Sequence, residues 1–221
     1  MAPMARPNLE LRWIKPPHQE RSRDTQARIV DAARRMLAKG HSFHEISVAA
    51  LAREADASVG AFYNRFRDKD ALLHVLQIEL CAEGEATAAA VLVPERWKGV
   101  AQELLIRAFV ALAVASYRQQ RGLRRALLVA MCNDKKFRDR SVALTKLTCE
   151  GLTAVLAARN PRTKRSTIRT AIDVCHRIVY GVLDQELLFA DDSPTGHALT
   201  DKQLVEELGD ACIAYLAPRG L

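Results

Sequence analysis

The chain has 221 residues, of which 33 are Lys or Arg and 26 Asp or Glu, for a net charge of +7, and 49% of it is hydrophobic. That apolar share excludes a disordered chain, and the length suffices for one substantial core or for a small domain joined to a larger one. Aromatic residues make up only 5% while Ala, Leu, Arg and Glu recur at helical intervals, which argues against a sheet and for an all-α class; the basic balance favours a polyanionic partner.

Residues 1–23 contain four prolines and are interrupted by Arg6, Arg12 and Lys15, so they lack the apolar run of a signal peptide and read as a flexible basic arm. A first helix follows in "DTQARIVDAARRMLAKG". Ile29, Ala32, Ala33, Met36 and Leu37 form its stripe, Asp24 or Thr25 its N-cap, and Gly40 its stop. After the loop "HSFHEIS", "SVAALAREA" reads as a short helix capped by Ser47. Asp56 and Ala57 interrupt it, and Ser58 caps a third helix, "VGAFYNRF", whose Phe62 and Phe66 share one face. A long fourth helix is expected over residues 69–90, with Leu72, Leu73, Leu76, Leu80 and Ala88 inward, until "VPERW" breaks it at Pro94.

Further helices are expected at about residues 97–120, 122–131, 134–158, 163–190 and 201–217. The run "LLIRAFVALAVAS", 104–116, is shorter than the roughly 20 residues a bilayer crossing needs, and Arg107 interrupts it; it reads as a buried central helix. The five cysteines lie far apart in apolar helical patterns, as reduced core thiols do, which points to a cytoplasmic protein. The expected organisation is an arm at 1–23, a small helical domain at 24–70 and a larger one at 71–221.

Helix, tight turn, helix is the arrangement that lays one helix across a DNA backbone and the next in the major groove, although such pairs also occur in helical proteins with no nucleic-acid partner. Here the small Ala52 lets the second helix cross closely, and the outward face of that helix carries Ser58, Val59, Gly60, Ala61, Tyr63 and Asn64. Val59 and Ala61 suit thymine methyls, Asn64 a base or phosphate, and Tyr63 and Lys69 phosphates. Phe62 and Phe66 are assigned to the core.

From Thr25 to Leu73 the chain resembles the TetR family of bacterial transcriptional regulators, in "RIVDAARRMLAKG", in "SVAALAREADAS" and above all in "VGAFYNRFRDKDALL" with its spacing of Tyr63, Phe66 and Lys69. The resemblance implies that Ser47 caps the helix lying on the backbone, that residues 58–64 form the recognition helix and that Tyr63 and Lys69 bind phosphate. Arg65 stands near the backbone, where members often have histidine. Two positions depart from the pattern: Asp56 replaces the usual turn glycine, and Val59 stands where many members have a polar or basic residue. Asp tolerates the left-handed backbone better than most residues, so the turn is expected to survive.

The resemblance further implies a C-terminal region that dimerises and encloses an effector pocket. Helices 163–190 and 201–217 carry apolar residues on more than one face and are expected to form the homodimer, matching a palindromic operator. Trp97, Phe109, Tyr117, Met131, Phe137, His176 and Tyr180 are the expected lining for a small, mostly apolar effector, although a buried helix needs no ligand to explain it. His41 with His44, and Cys175 with His176, lack the ligand sets of a metal site. No nucleophile-elbow, dinucleotide, P-loop, zincin or di-iron motif occurs, so neither catalysis nor a cofactor is assigned. Repression is the expected sign; activation, or regulation without an effector, are the alternatives.

Overall fold

The computed structural model describes residues 20–189, 193 and 195–221, with side chains from residue 24 onward. These residues form nine helices and no strand: α1 Glu20–Ala38, α2 Val48–Glu54, α3 Val59–Tyr63, α4 Lys69–Val91, α5 Gln102–Gln119, α6 Arg121–Asn133, α7 Lys135–Arg159, α8 Arg165–Leu188 and α9 Asp201–Leu216. The all-α expectation holds, and most boundaries fall within two residues of those read from the sequence.

Four differ, or fall outside the description. α1 already begins at Glu20, so Asp24 and Thr25 lie inside it and cap nothing; neither Gly nor Pro stands between Glu20 and Asp24 to stop the helix earlier. α3 ends at Tyr63 rather than running to Phe66. The helix expected from residue 97 starts at Gln102, because Pro94–Trp97 form a 3-10 turn, Lys98 is extended and Gly99 takes a φ of 80°. Asp191 and Asp192, between the last two expected helices, lie outside the described residues, as do the side chains of the basic arm.

Two apolar cores hold the helices together. The first gathers Ile29, Ala33 and Leu37 of α1, Leu51 and Ala55 of α2, Phe62 of α3, Phe66, and Leu72, Leu73, Leu76 and Leu80 of α4. Phe62 and Phe66 are fully buried with ring centroids 5.3 Å apart, each side chain contributing roughly 1.5–3 kcal/mol through burial. This core does not stop at residue 70: Leu123, Ala126 and Leu127 of α6 and Phe137 of α7 complete it. The second core joins α5, α7, α8 and α9 through residues such as Leu105, Val114, Leu156, Ile172, Leu183 and Leu204. By length and composition α7 could cross a bilayer, yet here it packs against α4, α6 and α8.

α4 belongs to both halves, and two contacts fix it and its neighbours. Gln77 is buried and donates from Nε2 to the carbonyl of Phe137 at 2.7 Å and to Ser141 Oγ at 3.2 Å. Arg140 donates to Gln77 Oε1 at 3.0 Å and lies 2.8 Å from His74 Nδ1, so α4 and α7 share a satisfied polar network. The second contact is a close crossing of backbones: a Cβ built on Gly122, at the start of α6, would stand 2.9 Å from the carbonyl carbon of Leu37 near the end of α1. Only glycine fits there.

Candidate nucleic-acid interface and effector cavity

The turn between α2 and α3 is built from local hydrogen bonds. Ser47 Oγ accepts the Ala50 amide at 3.1 Å and starts α2. At its end the Ala57 amide donates to the Ala52 carbonyl at 2.8 Å and the Asp56 amide to the Arg53 carbonyl at 3.2 Å, the paired bonds of a Schellman stop. That stop requires a left-handed residue, and Asp56 supplies it with φ 48°, the one positive φ outside glycine among the described residues. Arg28 braces it, donating to the Asp56 carbonyl at 2.9 Å. Ser58 Oγ then accepts the Ala61 amide at 3.0 Å and opens α3.

Burial divides the residues of this stretch much as their chemistry suggests. Ser47, Ser58, Val59, Gly60, Tyr63 and Asn64 are exposed, while Ala61 and Arg65 are half-buried. Val59 is 42% and Tyr63 51% exposed although both are large and apolar, so α3 turns an uncovered face outward. Tyr63 is held edge-on to Phe62, with centroids 5.4 Å apart, which fixes its ring while leaving the hydroxyl free to meet solvent or a ligand.

Lys69 departs from its expected role. Its ammonium donates to the carbonyls of Phe43, His44 and Ile46 at 2.8, 3.0 and 2.7 Å, and it also lies 5.2 Å from the Phe43 ring centroid. All three of its protons are thereby committed, leaving none for a phosphate. Burial pulls its pKa below the ordinary lysine value. Lys69 ties the α1–α2 loop to the head of α4. Asp68, overlooked in the sequence although it stands directly before that helix, is its N-cap and accepts the Ala71 amide at 2.8 Å.

Behind the first core, α4, α5, α6, α7 and α8 line a half-open cavity of about 480 Å³. Of the seven residues named from the sequence, Phe109, Tyr117, Met131, His176 and Tyr180 line this cavity. Trp97 and Phe137 do not. Trp97 donates from Nε1 to the Val91 carbonyl at 2.7 Å and packs behind Phe109, and Phe137 stacks on His74 at 3.9 Å within the first core. Nor is α5 buried all round: Leu104 is 60% exposed. The cysteines divide too, with Cys149, Cys175 and Cys212 buried, Cys81 half-buried and Cys132 exposed.

The polar part of the wall was not legible in advance. The Tyr117 hydroxyl donates to Asp184 Oδ1 at 2.7 Å, and Arg124 lies over the Tyr117 ring at 4.3 Å while donating to Ser116 Oγ at 2.7 Å. Burial pushes the Asp184 carboxyl above the usual range, and burial together with the Asp184 charge raises the Tyr117 phenol. His176 stacks on Tyr180 at 4.1 Å, and its burial lowers its pKa. Glu83, on the α4 side of the wall, pairs with Arg34 at 3.0 Å.

A comparison of the sequence with curated proteins finds no match. Among solved structures, a putative TetR-family transcriptional regulator from Mesorhizobium loti superposes with a TM-score of 0.69 at 14% identity, over 90% of this chain and 98% of that one. A TetR transcription regulator from Haloarcula marismortui gives 0.67 at 15% identity, over 89% and 98%. NalD from Pseudomonas aeruginosa, described as the secondary repressor of the MexAB-OprM multidrug efflux pump, gives 0.59 at 19%, over 89% and 98%. These likenesses establish the fold. Residues 29–76 match the pattern described as bacterial regulatory proteins, tetR family, and residues 103–216 that of the tetracyclin repressor-like C-terminal domain; with the turn and the exposed α3 face already in place, the chain belongs to the TetR family of DNA-binding transcriptional regulators.

Proposed function

We propose that the protein is a cytoplasmic, homodimeric repressor that sets α3 of each protomer into the major groove of a palindromic operator and leaves the DNA when a small, mostly apolar effector fills the cavity. The observation that carries this reading is the double membership of α4. Its head is tied to the loop before α2 by Lys69, and its middle lines the cavity through Gln77, Leu80 and Gly84. A ligand that needs more room moves a helix on which the DNA-binding end is seated, and this differential fit is what shifts a two-state equilibrium.

Ser58, Val59, Gly60, Ala61 and Asn64 are the residues offered to base edges, and Ser47, Tyr63 and Arg65 those offered to the backbone. Dimerisation through α8 and α9 is supported by the exposure of Leu188 and Phe189 at the end of α8 and by Gly181, whose surroundings are open mid-helix. An exposed helical glycine costs roughly 1 kcal/mol, a cost offset where a second helix approaches closely. The repressor sign is in keeping with the description of NalD, a protein of similar fold.

Selection of bound DNA from a random pool tests the reading. An inverted repeat with half-sites about one helical turn apart is expected, and Tyr63→Ala should weaken binding to the selected site. Failure to enrich any repeat, or unchanged affinity in the Tyr63 variant, would overturn it.

A further inference from the structure

We propose that the cavity takes a monocarboxylic acid with an apolar body, its carboxylate seated on Arg124; this rests on the reading of the cavity as an effector site. The guanidinium of Arg124 is fixed from two sides, by the Tyr117 ring at 4.3 Å and by Ser116 Oγ at 2.7 Å. Its Nε is buried with no acceptor. Among the described residues no carboxylate forms an ion pair with it. The two acids in the wall are otherwise engaged: Asp184 accepts the Tyr117 hydroxyl at 2.7 Å, and Glu83 pairs with Arg34 at 3.0 Å.

A guanidinium with no ion-pair partner and an unsatisfied Nε is unfavourable, and the face of one tyrosine and the nearby charge of Asp184 offset this only in part. A carboxylate supplies the missing ion pair, because its two oxygens match a guanidinium edge. The rest of the wall, including Leu80, Phe109, Met131 and Leu144, takes the apolar body, and 480 Å³ lies within the range of small-molecule sites. A dianion would exceed the single free positive charge. An amine would meet Arg124 as a like charge, while Asp184 already accepts the Tyr117 hydroxyl.

Calorimetric titration of the full chain with decanoate and 4-phenylbutyrate, against decanol, 4-phenylbutanol, decylamine and 4-phenylbutylamine, tests the inference. The acids should bind roughly 10- to 100-fold tighter than the matching alcohols, the ratio expected for hydrogen bonds to a charged partner, and the amines weakest. Arg124→Met should bring acids and alcohols to within about 3-fold of each other, the alcohols keeping their affinity, and Arg124→Lys should restore part of the preference. An alcohol or amine that equals the acid in the unaltered protein, no binding by either acid, or a preference that survives Arg124→Met overturns the proposal. Gel shifts with the selected operator separate this from the broader reading. Alcohols that bind and release DNA as well as the acids do sink only the acid preference, whereas acids that bind preferentially without affecting DNA binding sink only the effector role.

Discussion

Gly122→Ala places a methyl group where the α1 and α6 backbones cross. The added Cβ would stand 2.9 Å from the carbonyl carbon and 3.2 Å from the Cα of Leu37, and closer still to the carbonyl oxygen. Ordinary contact lies near 3.5–4.0 Å, so the two helices must part by about 1 Å. A flexible side chain could swing away, but a backbone carbonyl in the last turn of a helix cannot move alone. Overpacking of this kind costs about 1–3 kcal/mol, against which the better helix propensity of alanine returns at most about 1 kcal/mol. The net loss of roughly 1–2 kcal/mol corresponds to a Tm lower by about 2–8 °C in a chain of this size. Because α6 carries Arg124, Leu127, Leu128 and Met131 into the cavity wall, the same shift should also change operator affinity. Scanning calorimetry and an anisotropy titration measure the two effects. A Gly122→Ala variant as stable as the parent, with unchanged operator affinity, would show that the crossing is not rigid and would refute the reasoning.

Lys69→Met should lower stability by roughly 1.5–3 kcal/mol, since three loop carbonyls lose their charged donor; a variant that melts like the parent yet binds DNA weakly would return Lys69 to the phosphates. Asp56→Gly should raise stability by up to about 1 kcal/mol, as a left-handed φ strains any residue with a Cβ, and Asp56→Val should lower it, both read from denaturant midpoints. Burial lowers the pKa of His74 and of His176 in the folded protein. The unfolded chain therefore holds more protons just below its own histidine pKa of about 6.5, and stability should fall as the pH is lowered from about 7.5 toward 6; His176→Phe should flatten that slope, and an unchanged slope would exclude His176 as a contributor.

Legibility in the sequence followed the range of the forces involved. Ser47, Ser58 and Gly40 could be placed in advance because capping and glycine stops are settled within three or four residues. Phe62 and Phe66 could be assigned to the core from their spacing alone. Direction was harder: the spacing of Tyr63, Phe66 and Lys69 marks Lys69 as specified, but does not say that its ammonium turns inward to the Phe43, His44 and Ile46 carbonyls. The cavity shows the same limit. An aromatic ring on an amphipathic helix has an inner face without a named neighbour, which is why Phe137 was placed beside a ligand and sits beside His74. Nothing in the sequence singles out Arg124 or Asp184, and only the packing of α5, α6 and α8 reveals them facing one space.

The sharing of the first core by α6 and α7 bears on how such a regulator can be recombined. A fragment ending after α4 would leave open to water the side of the first core that Leu123, Leu127 and Phe137 complete. A chimera joining this DNA-reading end to a foreign sensor therefore has to bring α6 along, or redesign its contact with α1 around a residue as small as Gly122. Operator choice and ligand choice are thus less interchangeable than the linear order of the chain suggests, and drift in one half is checked by the fit of the other.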